Sequence, residues 1–229
     1  VKKHYGRKAV RRSLRHFVVG KGVKFFSTLA ALLILGRWME TVEYGVYIAL
    51  RGLSEVARVV TTVGVSAVLF RYLPELRASG NNRAAYRLLR NGMLIRILAV
   101  VVMYLIALPF ADELGITFNI ADWVWLIPLS LAVGALEFVV TTLSQSLESF
   151  LWQKEAQFSL AAGNLLRMIL FAALVTQDAL TLPHVILAEG IGLGLTLSML
   201  IYGLWRQWVK DVDRTAGDVS WLRTNLSRM

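Results

Sequence analysis

The 229-residue sequence has no cysteine and only three histidines, the scattered His4, His16 and His184. The first absence excludes disulfides, thiol nucleophiles and thiolate metal sites; the second leaves no spacing that a metal ion requires. No metal or other cofactor is therefore expected. There is also no Walker loop, no serine–histidine–aspartate set and no paired catalytic carboxylates in an aqueous loop. An enzyme is not expected, and the first apolar run lacks the small-residue cleavage site of a signal peptide. Acidic residues are scarce as well, 15 against 25 lysines and arginines. The sequence starts at Val1 rather than Met, and it is expected to be part of a longer chain.

What is present is apolar. Hydrophobic residues make up 56% of the chain and the mean hydropathy is +0.58, more apolar surface than a soluble domain can bury. The net charge of +10 raises the question of nucleic acid, but the basic residues flank apolar runs, where they set orientation and attract anionic lipids. No nucleic-acid partner is expected.

Six apolar runs cover about residues 17–39, 45–70, 92–110, 122–147, 158–176 and 183–208. Each is long enough to cross about 30 Å of hydrocarbon as a helix rising about 1.5 Å per residue. They are continuous rather than alternating, which favours helices over a β-barrel. The connections on one side hold 21 of the 25 lysines and arginines, and those on the other hold Glu40, Glu43, Asp112, Glu113, Asp122 and Asp178 with no basic residue. Basic loops resist translocation. The sequence thus predicts an all-α membrane protein of six transmembrane helices with both termini cytoplasmic. Its parts are a basic segment 1–16, a six-helix lobe 17–210, and a tail or interlobe connector 211–229. In the second inside connection, Arg71, Arg77, Arg83, Arg87, Arg90 and Arg96 surround the breaker Ser79-Gly80-Asn81-Asn82. Arg83, Arg87 and Arg90 share one helical face suited to anionic lipid phosphates.

Six ionisable residues break the sorting by falling inside spans: Arg51, Glu55, Arg58, Glu137, Arg167 and Glu189. Each costs about 2.5–3.5 kcal/mol at mid-bilayer on insertion scales, so each should face the bundle or a wet cavity. Arg51, Glu55, Arg58 and Thr62 form one stripe at helical spacing; Glu137, Thr141, Ser144 and Glu148 form another; Gln157, Asn164 and Arg167 share a face of the fifth span. Counted from the span ends, Glu55, Arg58, Glu137 and Arg167 fall near the midplane, with Arg51 and Glu189 in the outer half. Two arrangements stay open, a purely structural ion-pair network and a shared cavity on a substrate pathway. The run Gly190-Ile191-Gly192-Leu193-Gly194 lies inside a span and fits close helix packing or a flexible point rather than nucleotide binding.

The stretch from Gly36-Arg37-Trp38-Met39-Glu40-Thr41-Val42-Glu43-Tyr44-Gly45 through Val63-Gly64-Val65-Ser66-Ala67-Val68-Leu69-Phe70-Arg71-Tyr72-Leu73-Pro74-Glu75, with the arginine-rich connection after it, resembles polysaccharide and oligosaccharide flippases of the multidrug/oligolipid/polysaccharide exporter superfamily. The resemblance covers about residues 17–210 in span layout, and residues 20–115 in residue pattern. It implies one six-helix lobe of a two-lobe alternating-access transporter, in a bacterial cytoplasmic membrane. The implied substrate is an undecaprenyl-diphosphate-linked oligosaccharide for cell-surface polysaccharide, such as lipopolysaccharide, with a second lobe and polysaccharide-assembly proteins as partners. Arg51, Arg58 and Arg167 are the candidate diphosphate ligands, by position and chemistry, because a guanidinium is always charged and grips phosphate bidentately. Glu55, Glu137, Glu189 and Asn164 are the candidate cavity or coupling residues. An ion-coupled multidrug exporter of the same superfamily and a non-transporting membrane scaffold are the alternatives.

Overall fold

The computed structural model describes residues 7–216 except Val63, and side chains from Leu14 to Val209. Every regular element among the described residues is a helix: α1 (Arg7–Trp38), α2 (Thr41–Thr61), α3 (Val65–Ala78), α4 (Asn82–Ala107), α5 (Ala111–Thr117), α6 (Ile127–Ser149), α7 (Gln153–Thr176) and α8 (Leu182–Ala216), with short 3₁₀ turns at Leu108–Phe110 and Ala121–Leu126. Helices satisfy their backbone polar groups internally, as hydrocarbon requires. Five stretches are long and apolar enough to span a membrane, and the bent pair α2–α3 makes a sixth if counted as one. The chain is an all-helical, multi-pass membrane protein.

The helices run beyond the apolar limits read from sequence. α1 begins by Arg7 and continues unbroken into the first span. α8 carries on to Ala216, and residues 217–229 of the tail lie outside the described residues. The chief difference is in the second span. Instead of one helix over 45–70, the chain bends by 59° between α2 and α3. The Thr61 and Thr62 hydroxyls donate to the carbonyls of Ala57 and Arg58, a competition that bends helices. Gly64 then takes φ +67°, which ends α2 cheaply only because glycine has no Cβ.

α6 is the central helix, packed against α2, α3, α4, α7 and α8. Two apolar cores sit at opposite ends of it. One gathers Leu35, Tyr47, Leu50, Ile127, Phe171 and Val185; the other gathers Leu73, Leu89, Leu147, Phe150, Ala156 and Leu200. Glycine lets α7 and α8 touch: a Cβ on Gly163 would collide with Thr196 and the Gly192 carbonyl, and one on Gly192 would reach 3.2 Å from Arg167. The glycine run on α8 thus serves close packing at Gly192, whereas Gly194 meets nothing within 4 Å. α1 lies along α7 but touches α2 little, which leaves a cleft between these consecutive helices.

Candidate functional site

The layer between the two apolar cores is polar. On α6 it falls between Val133 and Val140, on α7 between Leu160 and Phe171, and on α8 between Ala188 and Leu200. Glu137, Arg167 and Glu189 occupy those intervals, and α2 brings Arg51 to meet them. Arg51 donates from Nη1 to Glu137 Oε2 at 2.6 Å and from Nη2 to Oε1 at 3.4 Å, the paired geometry of a guanidinium on a carboxylate. Its Nη1 is also 3.8 Å from Glu189 Oε2.

Glu189 is the hub. Its side chain is 3% exposed, and three groups converge on it: Arg51, Arg167 Nη1 at 3.3 Å and the Tyr47 hydroxyl, which donates at 2.8 Å. A buried carboxylate this isolated from water needs such partners to stay charged. Arg167 also donates from Nη2 to Thr28 Oγ1 at 3.4 Å, which ties α1 into the network. Its Nε has no partner among the described residues.

These groups line a cavity. One chamber, about 600 Å³ counting its open mouth, is bounded by Lys24, Thr28, Arg51, Glu137, Thr141, Asn164, Arg167 and Glu189. A second chamber of about 520 Å³ shares Thr28, Arg51, Arg167 and Glu189 and reaches along α1 and α2 past Leu32 and Ile48. Asn164 spends its amide on the Leu160 carbonyl at 2.7 Å. Three cations (Lys24, Arg51, Arg167) face two carboxylates (Glu137, Glu189), so the lining carries one surplus positive charge. It has the means to hold an anion through guanidinium and ammonium donors.

Arg58 and Glu55, although on the same helical stripe as Arg51, are not part of this lining. Arg58 binds Glu55, three residues earlier, through both Nε at 2.7 Å and Nη2, and the pair is 41% and 59% exposed on the flank of α2. Of this stripe, Arg51 faces the cavity and the Glu55–Arg58 pair does not. The α6 stripe divides similarly. Glu137 and Thr141 line the cavity, while Glu148 accepts from Gln157 Nε2 at 2.5 Å and lies 3.6 Å from Lys21 Nζ. Arg51 and Glu189, placed in the outer half by counting, stand beside Glu137 and Arg167 in one cluster.

Two participants were not singled out in the sequence. Lys24 counts there among the basic residues of the first segment, yet it lines the cavity; its position four residues before Thr28 was the available signal. Tyr47, four residues before Arg51, is the second. Arg96, outside this site, corrects an assignment: it is not part of the inside connection, because α4 extends through it and it is 3% exposed.

In comparisons with known proteins, no family model, no curated protein and no solved structure matches the chain.

Proposed function

We propose that the chain is a lobe of a membrane transporter that moves a lipid-linked anionic oligosaccharide, of the undecaprenyl-diphosphate class, across a bacterial cytoplasmic membrane by alternating access. The supporting observation is the cavity of Lys24, Arg51 and Arg167 against Glu137 and Glu189, with its surplus positive charge. A diphosphate is a dense anion; inside a membrane it needs donors already in place, and guanidinium forks supply them. Glu137 and Glu189 keep the arginines paired when no anion is bound, since an unpaired intramembrane charge is costly. The lipid tail stays in the bilayer while the sugar head crosses, and no covalent step is needed.

The test is replacement of Arg51 or Arg167 by Ala in the full-length protein, in a host that depends on it for surface polysaccharide. Polysaccharide is expected to disappear at matched protein level, and Arg58→Ala is expected to retain most of it. Normal polysaccharide in the Arg51 and Arg167 variants would reject the reading. Glu137, which is 38% exposed at the cavity, favours a second reading, an exporter of organic cations. Loss of drug resistance in Glu137→Gln with polysaccharide intact would select it, and matched protein with neither phenotype would select a scaffold.

A further inference from the structure

Of the three cations on the cavity wall, two are already held. Arg51 is bound through both Nη atoms to Glu137, and Arg167 is bound to Glu189 and to the Thr28 hydroxyl. An anion that reaches either arginine competes with a carboxylate already in place. Lys24 differs: it makes no hydrogen bond or ion pair among the described residues. The acids whose charges act on it, Glu137 and Glu148, are engaged elsewhere. Glu137 takes Arg51, and Glu148 takes Gln157 and Lys21. The surplus positive charge of the lining therefore resides on one residue.

Two hydroxyls stand with it. Thr28 follows Lys24 by four residues, on the same face of α1, and borders the same chamber, as does Thr141 of α6. Thr28 accepts from Arg167, and a hydroxyl that accepts still has its own proton to give. Neither threonine hydroxyl donates to any group among the described residues. Lys21, one turn earlier on α1, lacks this setting: it is paired with Glu148 and does not border the chamber.

We propose that Lys24 is the anion-receiving residue of the cavity, and that with Thr28 and Thr141 it forms the subsite for one phosphate group of the substrate. The inference rests on the cavity being the substrate site. An ammonium is a point charge on a flexible stem, with three donors and no required plane. It takes a phosphate oxygen without breaking an ion pair, and the charge of the phosphate cancels the surplus one. The hydroxyls add donors to the remaining phosphate oxygens. The arginine pairs need not open for this first contact, so Glu137 and Glu189 keep the wall together while the anion loads. Lys24 thus selects for an anion, and the arginines engage it only once it is inside.

The experiment is calorimetric titration of inorganic pyrophosphate into the full-length protein in phosphatidylcholine nanodiscs, with thermal unfolding of each variant alongside. Lys24→Gln is expected to weaken binding by about tenfold or more, the loss of one charge-assisted contact, and Lys24→Arg to keep most of it. Thermal stability of Lys24→Gln is expected to hold or rise, because an unpaired cation inside the membrane is costly. Binding by Lys24→Gln equal to that of the unmodified protein, with loss in Arg51→Ala or Arg167→Ala, overturns the assignment. In that case the arginines take the anion directly and the cavity reading stands. Weaker binding that comes with a clear loss of stability also overturns it, since Lys24 is then a structural group. No pyrophosphate binding by the unmodified protein overturns the anion reading of the cavity itself, and this inference with it.

Discussion

Two ion pairs on one helix, seven residues apart, have different surroundings. Arg51 reaches across to α6 and α8 and is held by Glu137 and Glu189. Arg58 turns back on its own helix and takes Glu55. The first pair ties three helices together around a cavity; the second merely neutralises itself on an exposed flank. Sequence spacing treats them alike, since both lie on one stripe. What separates them is the partner: α6 presents Glu137 to Arg51, whereas Arg58 finds its carboxylate on its own helix.

The largest effect is expected at Glu189. Replacing it with Ala removes the one buried acceptor shared by Arg51, Arg167 and Tyr47, which leaves paired charges uncompensated at a cost of about 3–5 kcal/mol. Thermal unfolding in detergent should show a large loss of stability or no folded protein. A fold-stable Glu189→Ala protein would mean that the hub is wet and the two pairs are not different in kind.

A smaller effect is expected from Tyr47→Phe. The ring stays in the apolar core and only its hydrogen bond to Glu189 is lost, worth about 1.5–3 kcal/mol for a charged acceptor. The same unfolding measurement checks it. No loss of stability would indicate that Glu189 is sufficiently held by the two arginines, which would sharpen the hub to a purely ionic one.

Much of the fold was legible before any coordinates, because length and apolar continuity decide where helices go in a membrane. Arg51, Glu137, Asn164, Arg167 and Glu189 were legible for a related reason: an ionisable residue within an apolar run has few places to point. Three things were not. Lys24 and Arg96 each lie within about a turn or two of a basic cluster, and a hydropathy pattern assigns such residues to the interface; only the folded helices show that Lys24 lines the cavity and that Arg96 is buried. The bend at Gly64 depends on backbone torsion and on where two threonine hydroxyls donate, neither of which alters the apolar pattern. The separation of Arg58 from Arg51 depends on what α6 offers opposite each.

The smallest effect, and the one that bears most directly on the comparison, comes from two double-mutant cycles. Coupling between Arg51 and Glu137, read from unfolding of the single and double Ala variants, is expected to be about 1–3 kcal/mol, since the pair is bidentate and partly shielded. Coupling between Arg58 and Glu55 is expected to be below about 1 kcal/mol, the range of exposed pairs three or four residues apart. Repeating both cycles at high salt should weaken the second more than the first, because screening reaches exposed charges first. Equal couplings would dissolve the distinction between the pairs. A strong Arg58–Glu55 coupling that salt does not touch would mean that this flank of α2 is covered by protein, as the cavity wall is, and that the stripe from Arg51 to Arg58 is a single surface after all.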